Sequence, residues 1–390
     1  MTNEVRYIGP TLSRHSWTAV LNSRQGRYLE RGEEWIAATV SAVQAAAQHG
    51  KIIVASAGLN TWELTLWAAA RAGAPALAVL PAKSDEPEEN LQRQLEHLAH
   101  EFNCPPGFLS GAFFPASEDR RSPKTDWPER DRLVIRHADE LRPVSIRPEG
   151  NLEQLIQEAT QESKTINNDY QVEYQADRKS ADPRIPEDRL ASWTKSTDWR
   201  YLTHWTHTFG GPWPGEKKAD YYAALLEDGN GNPRSAPDTL RRILQEGWLF
   251  GSSLHMPQNR KAVGFTELPP AEAMKEIKYR KRFQRWSFEP YGLVLNREKL
   301  KNLGARPVRY ESETKNTDEN DIFVQHQTSG RADWSGQREW RLPYDLDLSV
   351  FCEEEALVVV PAQREKEAIE PFSRWPVVAL TEEISDGIIE

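Results

Sequence analysis

Apolar residues fall into two rhythms between residues 17 and 161. Trp17-Thr-Ala-Val-Leu-Asn22, Lys51-Ile-Ile-Val-Ala-Ser56 and Ala76-Leu-Ala-Val-Leu80 are short unbroken runs, the form taken by strands buried on both faces. Between them Trp35, Ile36, Val40, Val43 and Ala47 recur at helical intervals up to Gly50, and an alanine-rich stretch over 61–72 is closed by Gly73. The same reasoning predicts helices over 90–102, 131–138 and 152–161, a strand over 142–147 and a last edge strand over 170–174. Residues 117–129, polar and broken by proline, read as a surface loop. Strand and helix in alternation predict a parallel sheet covered on both faces.

The pattern then changes. Residues 176–189 are polar and carry Pro183 and Pro186, as a linker does. Beyond them come short strands over 262–266, 291–295, 307–310 and 356–360, with one helix over 237–246 ending at Gly247. The fold class expected is α/β followed by α+β. A Rossmann-like parallel-sheet domain takes residues 1–175, and a mixed α+β domain takes 190–390.

Composition narrows the function. The net charge of -10 argues against a general nucleic-acid coat and leaves room for a local basic strip. Cys104 and Cys352 stand far apart, so neither a disulfide framework nor a zinc site is expected, as in a reducing cytosol. Residues 1–10 lack a basic-then-apolar leader and no run is long enough to span a bilayer, so a cytoplasmic chain with no membrane partner is expected. The 14 tryptophans serve either as core or as platforms for unstacked bases.

Candidate chemistry in the first half lies at two strand-to-helix turns. Ser56-Ala-Gly58-Leu-Asn60 and Glu149-Gly150-Asn151 each set a glycine before a helix N-terminus, where free N–H groups can meet phosphate. Arg130 and Arg132 could add guanidinium groups. An ordinary turn glycine is the alternative at each place.

The second half holds clusters. His204 and His207 stand three apart in Tyr201-Leu-Thr-His-Trp-Thr-His207, able to act as bases or ligands, though no third ligand is near and no metal is expected. Glu267 follows a strand at a turn, and Tyr291 opens another. Glu339 is flanked by Arg338 and Arg341, which favours its ionised form and electrostatic roles, or else a structural salt bridge. In Lys275-Glu-Ile-Lys278-Tyr-Arg280-Lys281-Arg282-Phe-Gln-Arg285-Trp286 six cations interleave with rings. Cations neutralise phosphates and rings accept bases, so this strip is the nucleic-acid candidate; a solvated helix face is the alternative.

Two resemblances add to this. The order Asn22-Ser-Arg24, Ala55-Ser-Ala-Gly58, Ala76-Leu-Ala-Val-Leu-Pro81, Arg130-Asp-Arg-Leu133 and Pro148-Glu-Gly-Asn-Leu152 resembles the DprA/Smf and LOG-like (SLOG) Rossmann superfamily over residues 15–175. That family contains single-stranded-DNA binders, nucleotide hydrolases and nucleotide-signal sensors. Here Ala57-Gly58 replaces the paired glycine and the hydrolase acid is not evident, so the resemblance implies binding. The order Thr203-His204, 239–247, Phe265-Thr-Glu267, Tyr291-Gly292, 305–310 and Arg338-Glu-Trp-Arg341 resembles AbiGi-type abortive-infection proteins and, distantly, DarT-like ADP-ribosyltransferases. It implies NAD as a cofactor, with His204 on the ribose, Tyr291 near the nicotinamide and Glu339 stabilising positive charge at the glycosidic carbon. Together these suggest an enzyme of a bacterial defence or DNA-modification system acting on DNA or a nucleobase, with other proteins of such a cluster as partners. The alternative is a non-catalytic nucleotide sensor or single-stranded-DNA binder. The enzymatic reading requires Glu339 and the histidines to converge on one hollow.

Overall fold

A computed structural model describes residues 5–12, 16–117, 126–175, 181–253, 256, 260–281, 283–312, 321–327 and 335–382. The chain divides into two compact units, Met1–Arg178 with Gly210–Pro233, and Lys179–Phe209 with Arg234–Glu390. Residues 210–233, expected in the second domain, pack on the first, because Ala219, Tyr221, Tyr222 and Leu225 are buried in its core.

The first unit runs β1 Arg6–Ile8, β2 Trp17–Asn22, α1 Glu34–Gln48, β3 Ile52–Ser56, α2 Asn60–Arg71, β4 Ala76–Ala82, α3 Glu88–Glu101, β5 Leu109–Pro115, α4 Trp127–His137, β6 Glu140–Ser145, α5 Asn151–Gln161 and β7 Thr165–Ile166, with α6 Lys218–Ala224 added later in the chain. The sheet order is β1-β5-β4-β3-β2-β6-β7. All neighbours are parallel except β1 on β5. This is the Rossmann-like sheet the apolar runs predict. All five residues of β3 are buried, as a strand covered on both faces requires. The expected edge strand at 170–174 does not form: β7 takes that place at Thr165–Ile166. Val172 still donates its N–H to Val144 O at 2.8 Å. Of the expected loop, residues 118–125 lie outside the described residues, and α4 already begins at Trp127.

The second unit runs β8 Tyr201–Trp205, α7 Ala236–Glu246, β9 Trp248–Leu249, β10 Val263–Thr266, α8 Pro270–Lys275, β11 Tyr279–Arg280, β12 Arg285–Trp286, β13 Gly292–Asn296, α9 Arg297–Asn302, β14 Arg306–Pro307, β15 Arg309–Ser312, β16 Val324–Gln327, β17 Glu339–Leu342, β18 Leu346–Asp347, β19 Ala356–Val360, α10 Gln363–Ile369 and β20 Val377–Ala379. Its main sheet, ordered β14-β17-β10-β8-β13-β19-β20, is antiparallel except for β19 on β20. This is the mixed α+β architecture expected. Period-two alternation gives it two apolar faces. Leu202, Phe265, Leu293 and Trp340 join one cluster; Trp205, Val294 and Val359 join the other.

Candidate nucleotide-binding crevice and the Glu339 face

In the first unit β2 lies between β3 and β6. The chain builds outward from β2 through β3, β4 and β5, then crosses back to place β6 on the other side. Such a reversal opens a crevice at the carboxyl ends of the two strands, where sheets of this kind take ligands. A bulge widens the spot. Leu21 pairs with Pro143 and Asn22 with Ser145, skipping Val144. Pro143 has no N–H to give a ladder. Asn22 mends the gap by accepting the Ser145 N–H on Oδ1 at 3.2 Å and donating from Nδ2 to Thr39 Oγ1 at 2.9 Å.

The N-terminal turn of α4 brings Arg130 to this edge. Its guanidinium is buried, 5.5 Å from the ring centre of Trp62 and 5.7 Å from that of Trp127. Arg24, just past β2 and exposed, lies 5.8 Å from the same Trp127 ring. Arg130 donates from Nε and Nη2 to Asp131 Oδ1 at 3.1 and 2.8 Å, and Asn151 donates to Asp131 Oδ2 at 3.3 Å. Among the described residues Arg130 Nη1 has no acceptor. Burial pushes the Asp131 carboxyl above its ordinary range, more than Arg130 pulls it down. Arg132, by contrast, points out with a side chain 61% exposed and only a loose 3.6 Å contact to Glu129.

Both glycine turns are filled from within the chain. The Gly58 N–H donates to Glu63 Oε1 at 3.1 Å, and Glu63 is held by Lys218 Nζ at 2.6 Å and Tyr222 OH at 3.1 Å. Asn60 donates to Gly26 O at 2.6 Å, tying the segment after β2 to α2. At the second turn Glu149 donates its N–H to Glu153 Oε2 at 2.7 Å. A Cβ on Gly150 would stand 2.9 Å from Arg147 O, so glycine there serves close backbone approach. Protein carboxylates thus already occupy the N–H groups of Gly58 and Glu149.

In the second unit the register separates the expected catalytic set. Glu339 pairs with Thr266, and Thr266 with Thr203, so these three share a face. His204, one residue on, emerges from the other side, opposite Leu293 and edge-on to Phe265 at 5.9 Å. Its Nδ1 bonds Gly264 O at 2.8 Å, and burial lowers its pKa. The convergence of Glu339 with His204 on one hollow therefore does not occur: strand alternation forbids it. Glu339 is instead gripped by Arg341, from Nε to Oε1 at 2.7 Å and from Nη2 to Oε2 at 3.2 Å, and receives the Tyr310 hydroxyl at 3.4 Å. Glu267 accepts the Trp340 indole N–H at 2.9 Å. Tyr291 packs against the apolar cluster on the His204 side, its hydroxyl raised by burial and by Glu365 and Glu289. His207 stacks on Phe209 at 4.8 Å; burial first, then Arg285, His204 and Arg280, hold its imidazole well below the ordinary value.

The cationic strip forms the end of α8 and the β11–β12 hairpin, where a helix face was the alternative. Lys275 pairs with Glu187 at 3.1 Å and Lys278 with Glu276 at 2.9 Å. Lys281 is exposed, Arg280, Arg285 and Trp286 are half-buried, and Arg282 lies outside the described residues. Reading the sequence overlooked Arg24, Trp62 and Trp127. The signal available was that Arg24 follows the strand at which chain direction across the sheet reverses.

Among the described residues no group of three or more His, Cys, Asp or Glu could hold a metal, and no helix is long and apolar enough to cross a membrane. No protein-family model matches the chain, and no curated protein matches it. Solved structures similar to it include the molybdenum cofactor carrier protein of Chlamydomonas reinhardtii, 15% identical over 39% of this chain and 75% of that one, with a TM-score of 0.26. DNA processing protein A of Streptococcus pneumoniae is 14% identical over 42% of this chain and 53% of its own, with a TM-score of 0.30. DNA processing protein A of Helicobacter pylori, described with a single-stranded-DNA binding mode, is 15% identical over 39% of this chain and 63% of its own, at 0.28.

Proposed function

We propose that this chain binds a nucleotide or a single-stranded nucleic acid, and that the ligand sits at the carboxyl ends of β2 and β6. The observation that carries the reading is Arg130: a buried guanidinium between two tryptophans, with Nη1 unspent among the described residues, at the point where the strand order reverses. A guanidinium so placed offers a charge-assisted hydrogen bond to phosphate, and Trp127, half-buried, offers a ring for a base. Arg24 and Arg147, both exposed just past β2 and β6, add positive potential at the same edge.

Binding is favoured over turnover. ADP-ribosyl transfer or base modification through Glu339 would need His204 beside it, and the two lie on opposite faces of the sheet. Calorimetric titration of the full chain with ATP and with a thymidine oligonucleotide tests the reading. At least one should bind, and Arg130→Gln should weaken it about tenfold or more. Absence of binding by both, or affinity unchanged in Arg130→Gln, would overturn it.

A further inference from the structure

We infer that the outer face of the β9–β18 ribbon docks an arginine side chain of a partner protein, taken up by aromatic rings and carboxylates together. This surface lies wholly in the second unit and uses no residue of the crevice at β2 and β6.

The ribbon gathers exposed apolar surface. Among the described residues five large apolar side chains are exposed. Four of them, Trp248, Phe250, Tyr344 and Val350, lie on β9 or β18 or within three residues of them. Alternation sorts the faces. Leu249 pairs with Leu346, and both are buried in the apolar cluster beneath. Trp248 and Phe250 therefore stand on the opposite face, 39% and 40% exposed. Their rings are parallel to within 15°, with centroids 6.4 Å apart. Large rings left together in water, rather than scattered singly, mark a surface that another molecule covers.

Charge decides what covers it. Trp248 is directly opposed to Asp347, so ring and carboxylate share the face. Asp345 is fixed beside Phe250, since its Oδ1 accepts the Gly251 N–H at 2.7 Å, and Asp347 Oδ1 accepts the Ser349 N–H at 2.8 Å. A carboxylate offers about four acceptor sites, so both keep capacity to spare. The cations near them compensate weakly. Lys261, 61% exposed, stays 3.8 Å from Asp345, and Arg374 gives its Nη2 to Leu348 O and Phe351 O. Residues 344–355 carry five acids and no base. A second copy of this face would set acid against acid, and a nucleic acid would bring phosphates to the same carboxylates. A guanidinium suits both features: its plane stacks on a ring while its edge donates paired hydrogen bonds to a carboxylate. An ammonium has the charge without the plane.

The full chain, with tryptophan indole nitrogens labelled, is titrated by NMR with a short end-blocked peptide of glycine and arginine. Its lysine counterpart and a thymidine oligonucleotide are titrated separately. The Trp248 signal is identified by its loss in Trp248→Leu. A saturable shift of that signal is expected with the arginine peptide, about threefold or more tighter than with the lysine peptide and weaker as salt rises. Asp347→Asn keeps an acceptor for the Ser349 N–H and removes the charge. It should weaken arginine binding about threefold or more while the other indole signals stay in place, and Phe250→Ala should do the same. Four results would each overturn the proposal: no saturable shift with the arginine peptide, equal affinity for the lysine peptide, affinity unchanged in both variants, or a shift with the oligonucleotide in place of the peptide.

Discussion

Two arginine–carboxylate pairs, one in each unit, are made of the same chemistry and end differently. Arg341 is buried on β17 and donates from all three nitrogens: to both oxygens of Glu339, to Ile322 O and to Gln325 Oε1. Arg130 is equally buried, yet among the described residues it spends only Nε and Nη2, both on one oxygen of Asp131. The first is saturated and works as a brace. The second keeps Nη1 without an acceptor among the described residues, at the carboxyl edge of the parallel sheet. Unspent donors distinguish the two arginines, which charge or burial alone would rank alike.

The largest expected effect breaks the brace. Arg341→Met leaves Glu339 without its cation and should cost on the order of 2–3 kcal/mol, less than a fully buried pair would because Glu339 keeps contact with water. The urea midpoint of the second unit measures this. Next, Arg130→Gln should leave the urea transition of the second unit in place while nucleotide affinity falls about tenfold to a hundredfold by calorimetry.

Acid should strain the second unit through its histidines. His204 and His207 are held below the ordinary 6.5, so between that value and their folded values the unfolded chain binds more protons than the folded one. Their contribution is full above pH 6.5 and is lost as pH falls below it. His207→Asn should flatten the fall in urea midpoint between about pH 7.5 and about pH 5.5. The smallest effect is at Arg132: exposed and loosely paired, Arg132→Ala should change stability by less than about 0.5 kcal/mol, with an affinity loss well short of that in Arg130→Gln.

The parallel sheet was legible because its buried strands write themselves as unbroken apolar runs, as at Ile52–Ser56 and Ala76–Ala82. β5 was not, since Leu109–Pro115 carries Ser110 and Gly111 inside the run, and Ser110 is satisfied only by a remote bond to Pro10 O. At 170–174 the alternation was real, yet Tyr170 lies under the Arg142 guanidinium at 5.6 Å and the segment adds no ladder. The two strand-to-helix turns could be located from the sequence, but Arg130, expected just before a helix over 131–138, stands inside α4, which already begins at Trp127. In the second unit Glu339 and Arg341 stand two apart on a strand, so their pairing was foreseeable. That His204 faces away from them depends on the pairing of Thr203 with Thr266, which joins residues 63 positions apart and leaves no local trace.

The return of residues 210–233 to the first unit bears on how the protein is made. Tyr221 and Tyr222 emerge from the ribosome only after β8 has been synthesised, so the earlier unit waits for its last core residues while the later one has already begun. Synthesis therefore cannot finish one unit before starting the next. A fragment ending at residue 178 would lack α6, leaving Glu63 without Lys218 and Tyr222 and one side of the first core bare to solvent.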